Sequence, residues 1–127
     1  MRAHAPRCFD SSASPPHMDR EQMAKVARAL GHPARVAIID QFRSGEARMV
    51  QDIAAASDLA PSTVSEHLRL MREAGLLISR RDGPRVWYCL DRSTLEGLSD
   101  VLLERSRMTS RPHRQGLFES VGHSALA

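Results

Sequence analysis

The side chains best placed to do chemistry lie between positions 62 and 85. Ser62, Thr63, Ser65, His67, Arg69 and Arg72 come first, and Arg80, Arg81 and Arg85 follow. Short hydroxyls and an imidazole can approach base edges and phosphates closely. The planar guanidinium fork matches phosphate oxygens and guanine. From Ser65 to Arg85 five arginines stand against Glu66, Glu73 and Asp82. So small an excess implies a shaped reader of a polyanion, not a nonspecific basic tail. Catalysis is not implied. Ser65 and His67 are two apart, a spacing at which helical side chains do not face each other. No nucleophile–base–orienter set, glycine-rich phosphate loop or paired carboxylates occur, so the sequence does not read as an enzyme.

Two thiols are the other reactive groups, Cys8 and Cys89. Two thiolates could bind a soft thiophilic ion such as arsenite-type As(III), or form a disulfide on oxidation. In a cytosolic chain they are expected to be reduced, and a structural disulfide is not expected. The plainer readings are a small strand residue for Cys89 and a tail residue without a role for Cys8. His113 and His123 could add ligands to Cys8, although scattered tail histidines are usually solvated. His32, ahead of Pro33 in a turn, reads as structural.

The elements that must hold these groups are legible in order. Asp19 can cap a first helix, with Gln22 three residues on and Met18 and Met23 placed as a hydrophobic staple. Met23, Val26, Ala27 and Leu30 form one helical face, and Gly31 is placed to end it. A second helix is expected from Pro33 to about Arg43, apolar on more than one face and therefore central. A short third helix spans about Met49 to Ala56. After the turn 57–61, a fourth runs from about Ser62 to Ala74, with Val64, Leu68 and Met71 inward and Gly75 at its end. The runs 77–81 and 85–90, separated by Asp82-Gly83, predict a β-hairpin. A last helix starts at Asp91 or Ser93, each with its own capping signature, and carries Leu95, Leu98, Val101 and Leu102.

The order implies a mainly α fold with a small β-hairpin wing. It has about five helices, and the winged helix-turn-helix spans roughly Val50 to Leu90. In that arrangement the second of the paired helices enters the DNA major groove. Three segments are expected: a disordered tail over 1–17, the folded domain over 18–106 and a flexible tail over 107–127. The 127 residues carry a formal net charge of +3, mildly basic, which suits a polyanion. No apolar run approaches the ~18–20 residues needed to span a bilayer. Met1 to Pro16 lacks the apolar core of a secretory signal. The expectation is a cytoplasmic protein with no membrane partner.

Several separated segments agree with one family. They are Leu30-Gly31-His32-Pro33-Ala34-Arg35, Val50-Gln51-Asp52-Ile53-Ala54, Pro61-Ser62-Thr63-Val64-Ser65-Glu66-His67-Leu68, Glu73-Ala74-Gly75-Leu76-Leu77 and Gly83-Pro84-Arg85-Val86-Trp87-Tyr88. Together they resemble the ArsR/SmtB family of bacterial transcriptional repressors, over about Met18 to Arg105. The resemblance implies a homodimer joined through its first and last helices, with Met23, Val26, Leu95, Leu98 and Leu102 at the interface. It also implies an inverted-repeat DNA operator and release of DNA by an inducer. The sequence departs from two known sensor patterns. Met49 and Gln51 stand where many members carry paired cysteines. Arg92, Thr94, Arg105 and Met108 replace a C-terminal Asp/His metal set. That leaves Cys8 and Cys89 for a metal(loid) or redox signal, and leaves open a repressor with no small-molecule inducer. A winged-helix protein–protein module without DNA binding is the alternative from another class.

Overall fold

The computed structural model describes residues 5–8 and 17–108. Its elements are α1 (Arg20–Leu30), α2 (Pro33–Asp40), α3 (Val50–Ser57), α4 (Pro61–Glu73), β1 (Leu77–Asp82), β2 (Arg85–Leu90) and α5 (Arg92–Met108). Five helices and an antiparallel hairpin make the expected winged helix-turn-helix.

Local chemistry accounts for most boundaries. The Asp19 carboxylate accepts the Gln22 N–H at 2.8 Å and caps α1. His32 caps α2, its Nδ1 accepting the Ala34 N–H at 3.1 Å, and Pro33 occupies the first turn, where a missing N–H costs nothing. α2 ends at Asp40, shorter than the apolar run suggested, and turns carry the chain on through Phe42. Gly75 closes α4 in a Schellman arrangement. The Leu76 N–H bonds Met71 O at 2.9 Å, the Gly75 N–H bonds Arg72 O at 3.0 Å, and Gly75 takes φ +84°. Asp91 caps α5, accepting both the Ser93 N–H and the Ser93 hydroxyl. That decides between the two candidate starts.

The hairpin turn is one residue later than expected. Asp82 is the last residue of β1 and pairs with Arg85, so Gly83-Pro84 forms the loop. Gly83 has φ +59°, the positive value a two-residue loop of the II′ kind needs at its first position. Proline then supplies the negative φ at the second.

One core joins the helices. Val26, Ile38, Ile53, Val64, Leu68, Met71 and Leu76 are fully enclosed and pack with Leu77 and Leu98. Val26 and Leu98, expected at a dimer interface, therefore belong to the protomer's own core, because α1 packs on α5 within one chain. Met23 and Leu95 are half-buried, and Leu102 is 49% exposed.

A second, smaller cluster lies on the other face of β2. Trp87, Cys89 and Ala47 are buried there with Ala5, Cys8 and Met49 against them. The segment 5–8, expected to be part of a disordered tail, is held in place. The Cys8 N–H donates to Gly45 O at 2.9 Å, and the Ala47 N–H donates to Pro6 O at 2.8 Å. Cys8 and Cys89 are joined as a disulfide with their Cα atoms 5.4 Å apart, where free thiols were expected. Arg48 and Tyr88 exchange both backbone hydrogen bonds, at 3.0 and 2.8 Å, which adds an isolated bridge to β2 beside its ladder with β1. His113 and His123 lie outside the described residues, as does nearly all of the expected 107–127 tail.

Candidate nucleic-acid interface

α4 presents two unlike faces. Val64, Leu68 and Met71 are buried. Ser62, Thr63, Ser65, Glu66, Arg69, Arg72 and Glu73 are exposed. The 13-residue helix is ~20 Å long, enough to lie across a groove ~12 Å wide. Its first turn has no side-chain cap, since Ala60 precedes it, and Pro61 brings no N–H. The remaining free N–H groups of that turn, beside Ser62 and Thr63, form an electropositive end suited to a phosphate.

The wing sits beside that end. One cleft of about 300 Å³ is lined by Met49–Gln51, Pro61 and Pro84–Val86. The hairpin tip and the start of α4 therefore share a surface, with Arg85 among its lining residues. Arg81 and Arg85 are exposed. Arg72 bridges the two parts, its Nη1 reaching Ser79 Oγ on β1 at 3.4 Å.

Two of the expected contact residues are engaged elsewhere. Arg69 is clamped on its own helix, with Nη2 to Glu66 at 2.6 Å and Nη1 to Glu73 at 2.7 Å. The pairing holds the Glu66 carboxyl below the ordinary carboxylate range and raises Arg69 further. His67 is half-buried and turned toward the α1–α2 junction. Its ring lies 4.9 Å from that of His32, and its Nδ1 is 3.4 Å from Arg35 Nη1. Burial, then the neighbouring His32 and Arg35, push the His67 pKa down, against a smaller upward pull from Glu66. A neutral imidazole held from behind is a support for the helix as much as a reader.

Arg35 is the residue that sequence reasoning missed. It ties three helices, donating from Nε to Ala29 O at 2.6 Å, from Nη2 to Arg28 O at 3.4 Å, and touching His67 on α4. It closes the Leu30–Arg35 segment that carries the family resemblance, directly after the helix-opening His32-Pro33-Ala34, and nothing else in the sequence marked it. Among the described residues there is no cluster of three or more metal-ligating side chains. No helix among them is long and apolar enough to cross a membrane.

Residues 30–80 match a family described as a helix-turn-helix domain. The chain is 37% identical over 68 residues to the transcriptional regulator Rv0324 of Mycobacterium tuberculosis, covering 54% of this chain but only 30% of that relative. It is 34% identical to the transcriptional regulator NmtR of the same organism, over 67% of this chain and 70% of NmtR. Among solved structures it resembles the homodimeric winged helix-turn-helix DNA-binding domain Mb0332 of Mycobacterium bovis, a possible ArsR-family regulator. There the TM-score is 0.57 at 27% identity, covering 73% of this chain and 87% of that one.

Proposed function

Since the chain belongs to the ArsR/SmtB family of winged helix-turn-helix transcriptional regulators, we propose that it is a homodimeric repressor of an inverted-repeat operator. The observation that carries this is the shared surface of the α4 N-terminus and the Arg85-bearing wing tip. Ser62, Thr63 and Ser65 are the base and near-phosphate readers. Arg72, Arg80, Arg81 and Arg85 are positioning contacts to the backbone, and Arg69 joins them once released from its acids. His67 acts from behind the helix. A two-fold dimer would set the two α4 helices one DNA turn apart, ~34 Å. Its interface would use Met23, Leu95 and Leu102, extended by Leu103, which is 50% exposed.

The inducer reading rests on Cys8 and Cys89. Their link pins residues 5–8 to β2, the strand that also forms the wing, so thiol chemistry there acts next to the DNA contacts. Reduced, the pair could hold As(III) or another thiophilic ion, and oxidised, it is the disulfide. A Cys89→Ser protein should bind operator DNA and fail to release it on treatment with As(III), peroxide or polysulfide. Normal release by that variant would remove the thiols from the mechanism.

The test of the main reading is a mobility shift on the gene's own upstream DNA. The combined Arg81→Ala and Arg85→Ala variant should bind more weakly, with a salt slope shallower by about 2, since each phosphate contact contributes ~0.9. No binding by the unmutated protein at low salt would instead favour a protein–protein module.

A further inference from the structure

A cavity of about 260 Å³ lies between α1, α2 and the C-terminal half of α4. Ala29, Leu70 and Ala74 give its lining an apolar part. Lys25, Arg28 and Arg35 line it as well, with Glu73 the single acid among the lining residues. The Glu73 charge is matched by Arg69 at 2.7 Å, so the cavity faces its occupant with net positive charge.

Arg35 is the side chain best prepared for a ligand. Of its donors, Nε is well used at 2.6 Å. Both terminal nitrogens make contacts of 3.4 Å, at the limit of hydrogen bonding and to neutral acceptors. A carboxylate would exchange these for paired charge-assisted bonds, which are shorter and about twice as strong. The cavity lies just below the ~300 Å³ lower end usual for drug-sized ligands, which selects a small occupant.

We infer that this cavity binds a small carboxylate with an apolar body, and that Arg35 couples its occupancy to α4. One Arg35 terminal nitrogen contacts His67 on that helix. Drawing the guanidinium onto a carboxylate would withdraw it from His67 and loosen the helix at its inner face. The binding is independent of any DNA; only the coupling rests on α4 being the DNA-reading helix.

The test uses the full chain and needs no DNA at first. Benzoate, phenylacetate and isovalerate are titrated against amide NMR spectra, with benzamide as the neutral control. The expected result is saturable shifts at Ala29, Arg35, Leu70 and Ala74 with at least one carboxylate and none with benzamide. Affinity should fall at least tenfold in Arg35→Gln. If that variant fails to fold, the doubly substituted Lys25→Gln, Arg28→Gln protein, altered only at exposed positions, should show a similar loss. Absence of saturable shifts with all three acids overturns the site, as do equal shifts with benzamide or undiminished binding by the variants. Once binding is seen, the bound carboxylate should weaken operator binding in the unmutated protein. Unchanged operator affinity would overturn the coupling while leaving the site, and absence of operator binding altogether would instead count against the DNA reading.

Discussion

Arg69 meets any phosphate with its charge already matched. Both terminal nitrogens are held by Glu66 and Glu73 one turn away on either side. In the proposed reading a phosphate would have to displace at least one carboxylate and would be repelled by the other, so the acids would oppose indiscriminate binding to DNA. Exposed pairs of this kind are individually weak, so the effect should be modest. Glu73→Gln should tighten DNA binding by about two- to fivefold, measured by fluorescence anisotropy at low salt. The gain should shrink as salt screens it. Weaker binding by the variant would mean that Arg69 does not contact DNA through its freed guanidinium. His67 supplies a second residue-scale prediction. Its pKa is pushed below the ordinary 6.5 in the folded chain, so the unfolded chain takes up the proton first. Its neutral form therefore supports folding fully above pH 6.5, and that support is lost as pH falls through the window below it. Thermal melts from pH 7.5 down to 5 should show this loss, and His67→Gln, which keeps an acceptor without titrating, should flatten the profile.

At the scale of elements, the end of α4 fixes where the recognition helix stops and the wing begins. Gly75 adopts φ +84°, and a Cβ there would meet only Thr94 Oγ1, at 3.8 Å. Space is therefore available, and the cost of Gly75→Ala is conformational, about 1 kcal/mol. The melting temperature should drop by about 4–8 °C with helix content unchanged; no drop would mean the turn relaxes freely. This boundary was readable in the sequence, as were the Asp19 cap and the Val64, Leu68, Met71 stripe. In each case the signal is local, because a cap or a helical period is written within a few residues. The Arg48–Tyr88 bridge was not readable, since a single pairing has no period and joins residues 40 apart in the chain. The hairpin turn was placed one residue early because Asp82-Gly83 and Gly83-Pro84 are both turn signals, and only the strand register chooses between them. Arg35 was missed for a related reason: one arginine on a helix looks solvated until three helices converge on it.

For the whole molecule, the question is what residues 5–8 do for the rest. They cover one face of β2 while the main core covers the other, and two backbone hydrogen bonds and the Cys8–Cys89 link hold them there. The link joins positions 81 apart. In the chain-entropy account, closing a loop of that size stabilises the fold by up to about 4–5 kcal/mol. A reducing compartment removes that contribution and leaves the segment on two hydrogen bonds and a few apolar contacts. Trp87, the chain's one tryptophan, is packed in the same cluster and 8% exposed, so it reports the event directly. Reduction should shift its emission to longer wavelength and lower the melting temperature, while far-UV circular dichroism stays constant because no helix depends on the segment. Cys8→Ser should reproduce the reduced spectrum without reductant and respond no further to it. If Trp87 emission is the same in the oxidised, reduced and Cys8→Ser proteins, the segment is held without the cross-link, and redox chemistry at these cysteines has no mechanical route to the wing.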